Sequence, residues 1–169
     1  MKSFIALAIV ALLPVSAVHA LELTAAVGRT GESTSTFRLG VQHAFNRNWF
    51  QTPTGRLTGY WDTGYTYWEG KKFSSNHSIS FAPVFVYEFR VGAVSPYVEA
   101  GVGIAAFENT KIENRGLGSS FQFEDRLGAG LRFAGRYELG LRAIHYSNAG
   151  IKQPNDGIES YTIHYRALF

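Results

Sequence analysis

Cysteine is absent from the sequence, and beyond the first twenty residues no apolar run approaches the roughly 18 to 20 residues that a membrane-crossing helix requires. The first absence rules out disulfides, a thiol nucleophile and a thiolate metal site, so the fold closes on hydrogen bonds and packing alone. The second leaves no helical membrane span downstream of the N-terminus. Net charge is low as well, at +3, and the basic residues are scattered rather than gathered into a stripe, which argues against a nucleic-acid partner. Paired metal-ligand motifs are missing, since His43, His77, His145 and His164 fall in separate stretches of chain, and no cofactor is expected. Repeats, low-complexity tracts and linkers are lacking too, which leaves a single domain.

What the sequence does hold is an export signal and a high share of aromatics. Lys2 supplies a positive start, residues 4–13 an apolar stretch, and Val18-His19-Ala20 a small-residue cleavage site. Residues 1–20 are therefore expected to be a secretory signal peptide, and 21–169 the mature domain. Phe, Tyr and Trp make up 15% of the chain, and there are 18 glycines. An exported chain of this kind without a helix-length apolar run points to a transmembrane β-barrel.

Apolar and polar residues alternate with a period of two in eight segments, near 21–29, 35–45, 54–67, 76–90, 95–107, 118–133, 136–147 and 158–169. The expected fold class is all-β: an eight-stranded antiparallel barrel in the outer membrane of a Gram-negative bacterium, with both ends periplasmic. In the last segment Tyr161, Ile163, Tyr165, Ala167 and Phe169 share one face, and Thr162, His164 and Arg166 the other. A terminal Phe on such a strand resembles the signature by which outer-membrane proteins are recognised for assembly. Arg38, Arg56, Asp62, Glu99, Glu124, Arg142 and Arg166 fall at lumen positions. Eight strands leave an interior only wide enough for side chains, so a packed polar interior is expected rather than a pore. Loops 30–34, 68–75, 108–117 and 148–157 are assigned outward; 46–53, 91–94 and 134–135 are periplasmic.

The seventh segment places His145 and Ser147 on the lipid-facing side, at successive positions of one strand face about 6.6 Å apart. An imidazole can reach a serine hydroxyl over that distance, which is the base and nucleophile contact of acyl transfer. Glu159 has the same outward parity on the eighth segment. The stretch from Glu159 to Phe169 spans roughly 33 Å of strand, or about 25 Å of height at a tilt of about 40°, so Glu159 lies at the outer interface. A carboxylate there can hold the His145 ring N–H and stabilise the imidazolium formed as Ser147 attacks. Asn148, the backbone N–H groups of Ala149 and Gly150, and Asn155 are candidate oxyanion donors. On spacing alone, an interfacial histidine and a turn-forming serine remain an equal alternative.

The run Arg142-Ala-Ile-His145-Tyr-Ser147-Asn148-Ala-Gly-Ile-Lys-Gln-Pro-Asn155-Asp-Gly-Ile-Glu159-Ser closely resembles the outer-membrane lipid A 3-O-deacylase family, PagL. Thr54-Gly-Arg-Leu-Thr-Gly-Tyr-Trp-Asp62, Gly64-Tyr-Thr-Tyr-Trp-Glu-Gly70, Ser80-Phe-Ala-Pro-Val-Phe-Val-Tyr-Glu-Phe89 and Phe123-Glu-Asp-Arg126 extend the similarity over nearly the whole mature chain. The resemblance implies an eight-stranded barrel that hydrolyses the ester-linked acyl chain at the 3-position of lipid A without a metal. It implies His145 as general base, Ser147 as nucleophile and Glu159 as the orienting acid, and gives Asp125 no catalytic role. Lipopolysaccharide in its outer-membrane lipid is the partner expected, with Arg29, Lys71, Lys72, Lys111, Arg115 and Lys152 placed to meet its phosphates. The rivals are a non-catalytic structural or adhesive barrel and an acyltransferase barrel, and the oligomeric state is left open, a homodimer included.

Overall fold

The computed structural model describes residues 22–168; the expected signal peptide and Phe169 lie outside the described residues. The strands, in chain order, are β1 (Glu22–Thr30), β2 (Ser35–Ala44), β3 (Gly55–Trp68), β4 (Asn76–Phe89), β5 (Val94–Phe107), β6 (Lys111–Ile112), β7 (Arg115–Gly116), β8 (Phe121–Phe133), β9 (Tyr137–Ser147) and β10 (Ile158–Leu168). Eight of them form one closed antiparallel barrel, and β6 and β7 make a small hairpin within the loop between β5 and β8. Closure runs from Glu22 opposite Leu168 to Thr30 opposite Ser160, so both described ends lie at the same rim.

The period of two in the sequence becomes the two sides of the wall. Along β9, Glu138, Gly140, Arg142, Ile144 and Tyr146 are buried, while Leu139 and Leu141 stand 50% and 64% exposed. Exposed Leu, Ile, Val and Phe recur around the outside, a surface that water would penalise and that a bilayer accepts. Strand closure satisfies the backbone in lipid, where no water is available to do so. Three residues, 134–136, join β8 to β9, with Ala134 at φ 51° and Gly135 at φ 67°, and Arg136 N–H donates to the Phe133 carbonyl. Two positive φ values make the Phe133–Arg136 turn a primed one, whose twist matches the flanking strands.

The lumen is filled by ion pairs. Asp62 accepts from Arg38 and, at 2.8 Å, from Arg126, which also holds Glu124; Glu99 accepts from Arg142 at 2.6 Å and from the Tyr60 hydroxyl. Nearer the terminal rim, Glu138 is shared by Arg132, Arg166, His164 and Tyr97. Buried charges are tolerated when each is paired, and these are, although Arg38 Nε and Nη1 and Arg126 Nη1 find no hydrogen-bond acceptor among the described residues. Glycine makes the room: a Cβ at Gly64 would lie 2.1 Å from the Arg38 guanidinium carbon, and one at Gly128 2.6 Å from a Glu99 oxygen.

Two features depart from the sequence reading. Residues 118–120 are not strand, because Gly118 sits at φ 72° and the Ser119 hydroxyl donates to the Phe121 carbonyl, forming a turn before β8. The lumen is also apolar at its loop end, where Tyr146 meets Trp68 and Phe107 edge to face, Ile144 and Ile158 join them, and Ile112 and Leu117 of the β5–β8 loop complete the cluster.

Candidate active site

β9 delivers its last residue, Ser147, to the rim just as β10 begins, and antiparallel pairing sets His145 directly opposite Glu159. On its other side His145 faces Asp125 of β8, and Ser147 faces Phe123. The three sequence-predicted residues thus lie on one outward face at the loop end of the wall. His145 Nδ1 donates to Glu159 Oε1 at 3.1 Å, with the two side chains 42% and 34% exposed. An ionised carboxylate can only accept, so Nδ1 carries the proton and Nε2 is left with a free lone pair. The Ser147 hydroxyl makes no hydrogen bond among the described residues and is free to turn toward that nitrogen.

Two glycines leave room for the pair. Gly157, at φ 65°, lies against the imidazole: a Cβ there would be 2.9 Å from His145 Cε1 and 3.4 Å from Nε2. Gly31 donates its N–H to the Glu159 carbonyl, and a Cβ on it would sit 3.2 Å from Glu159 Oε2. Neither glycine was singled out from sequence, although Asn155-Asp156-Gly157 is a recognisable turn signal.

Asn148 has to be corrected as an oxyanion donor. Its side chain is fully buried, and its Nδ2 group donates to the Leu117 carbonyl at 2.8 Å and the Lys152 carbonyl at 2.7 Å. Its backbone N–H is also taken, donating to Asn155 Oδ1 at 2.9 Å. Asn148 therefore braces the loop that follows Ser147. That contact orients Asn155 and leaves its Nδ2 group uncommitted. Ala149 and Gly150 follow with φ 53° and 78°, and their N–H groups donate to nothing among the described residues.

The outer cations separate into engaged and free. Lys71 Nζ donates to the Ser33 carbonyl, Lys111 lies 3.8 Å over the Phe73 ring, and Arg115 pairs with Glu32 at 2.8 Å. Glu32 and neighbouring acids hold Arg115 above its ordinary pKa. The side chains of Lys72, Lys152 and Arg29 make no ion pair or hydrogen bond among the described residues, and Arg29 stands on β1 rather than in a loop. Inside the lumen, Glu99, Glu138 and His164 bring ligand-type atoms within 4.8 Å of one another, a convergence invisible in the sequence. Arg132, Arg142 and Arg166 already neutralise those carboxylates, so the cluster belongs to the ionic lattice.

Below His145 and Glu159 an apolar groove of 610 Å³ descends the outside of the wall, lined by Val102, Asp125, Leu127, Ala143 and Tyr161 among others. A closed eight-stranded barrel with an apolar exterior, and a His–Glu pair and a serine on that exterior, define a small outer-membrane barrel with a candidate acyl-hydrolysing site facing lipid. Comparison with known proteins narrows the class. A sequence model of the family described as Lipid A 3-O-deacylase (PagL) matches residues 35–167. Lipid A deacylase PagL of Pseudomonas aeruginosa is 55% identical over 170 residues, covering 98% of each chain. That of Bordetella bronchiseptica is 34% identical over 129 residues, covering 75% of this chain and 68% of its own. A crystal structure of the outer membrane enzyme PagL superposes with a TM-score of 0.85 at 58% identity, covering 88% of this chain and 99% of that one. The chain belongs to the lipid A 3-O-deacylase (PagL) family.

Proposed function

We propose that this outer-membrane barrel hydrolyses the ester-linked acyl chain at the 3-position of lipid A, with Ser147 as nucleophile, His145 as general base and Glu159 as the group that orients it. The observation that carries this reading is the His145–Glu159 hydrogen bond on the lipid-facing wall, two residues along β9 from an unengaged Ser147 hydroxyl. Ser147 Oγ attacks the ester carbonyl from the membrane side while His145 Nε2 takes its proton, and Glu159 stabilises the resulting imidazolium. The Asn155 side-chain amide and the N–H groups of Ala149 and Gly150, which have no acceptor among the described residues, are the donors available to the oxyanion. Collapse returns the proton from Nε2 to the sugar oxygen, and water, deprotonated by the same nitrogen, releases the acyl group from Ser147.

The test is mass spectrometry of lipid A incubated with the purified barrel in detergent. The wild type removes one hydroxyacyl mass, and Ser147→Ala removes none while keeping the heat-modifiable mobility of a folded barrel. A Ser147→Ala variant with substantial activity would overturn the nucleophile assignment; a mass gained rather than lost would mark an acyltransferase.

A further inference from the structure

Two adjoining apolar grooves run down the lipid-facing wall beside the site, and of these two the smaller holds His145 and Glu159. The larger, 890 Å³, lies on the far side of Tyr161 and is walled by Val27, Leu141 and Ile163. Leu127, Ala143 and Tyr161 line both, so the two grooves adjoin along one row of β8, β9 and β10, a pleat repeat below His145 and Glu159. Arg29 stands at the rim of the larger groove, opposite Tyr161 in the β1–β10 pairing and one pleat repeat below the level of Glu159. Its guanidinium makes no direct ion pair or hydrogen bond among the described residues; Glu69, which it attracts from beyond contact distance, accepts from the Ser35 backbone N–H.

An unpaired cation on the lipid face is costly toward the bilayer centre and tolerated near the interface, where the stem lies along apolar wall and the head reaches the headgroups. The anion available at that level is a phosphate, which a guanidinium grips with two parallel hydrogen bonds. Acyl chains of one lipid leave a shared headgroup side by side, as the two grooves lie side by side about the Leu127–Ala143–Tyr161 row. We propose that the larger groove takes a second acyl chain of the lipid whose ester lies at Ser147, while Arg29 holds a phosphate on that lipid's sugar. This rests on the lipid A esterase reading and deepens it: two chains and one phosphate fix the sugar's orientation, so one ester among several meets the nucleophile.

Kinetics of the full barrel in detergent micelles test the subsite, using bisphosphorylated lipid A, the same lipid stripped of phosphate, and a short single-chain ester as reference. Arg29→Ala is expected to lower kcat/KM on the phosphorylated lipid, relative to the short ester, about tenfold through KM. It is expected to leave the ratio for the stripped lipid unchanged, with Arg29→Lys recovering part of the loss. Val27→Trp, which fills the groove without adding polarity, is expected to lower the ratio for both lipids. For Arg29→Ala, equal loss with and without phosphate overturns the subsite, as does the absence of loss from either variant, since bulk membrane lipid or bare wall would behave that way. A wild-type barrel inactive on lipid A overturns the functional reading and the subsite together; an active one with indifferent variants overturns the subsite alone.

Discussion

At the scale of single residues, the position of the His145 ring depends on a side chain that is not there. Gly157→Ala places a methyl group in contact with the ring and also imposes a left-handed conformation costing about 1–2 kcal/mol. The expected result is a fall in kcat of about a hundredfold with little change in KM, since a small displacement of a reacting group is costly. Gly135→Ala is the control: its φ is 67°, its surroundings are open, and it lies at the other rim, so it carries the same strain without the loss of activity. Parity in the sequence was enough to place His145, Ser147 and Glu159 on one outward face. It could not show that Asn148 is spent on the Leu117 carbonyl, because that carbonyl arrives from another loop, 31 residues away in sequence.

At the scale of elements, the outer loops brace one another. Glu113, at φ 51° in the β6–β7 hairpin, accepts the backbone N–H groups of Lys71 and Lys72 from the β3–β4 loop. Those donors hold its carboxyl below the ordinary carboxylate range. A lowered pKa means that the clamp is fully formed above the unfolded value and is lost as pH falls through the folded one. Amide exchange protection at 71–72 is therefore expected to fall as the solution is taken below roughly pH 4, and Glu113→Gln should show that loss already at neutral pH. Equal protection in both proteins across the range would remove the clamp from the account. The eight long strands were legible because each shows alternation over nine or more residues. The hairpin was not: two strands of two residues have no pattern to display, and side-chain contacts from three loops hold it in place.

At the scale of the whole molecule, stability rests on an interior in which charges of both signs hold one another. Asp62→Ala leaves Arg38 and Arg126 buried around a missing partner and is expected to destabilise the barrel by about 3–5 kcal/mol. The measurement is the temperature at which the compact, fast-migrating form is lost on an unheated gel; an unchanged midpoint would mean that the remaining lattice carries Asp62's share. Sequence parity identified Asp62, Glu99 and Arg142 as interior. It could not say who pairs with whom, since those partners lie on strands far apart in the chain.

The same filled interior, capped by Trp68, Phe107 and Tyr146, decouples dosage from leakage. A barrel whose proposed site lies on its outer surface and whose described interior is filled by side chains can be inserted in many copies without opening a path for ions, nutrients or antibiotics. The cell can match the amount of enzyme to the lipid it must remodel, with the permeability barrier left intact.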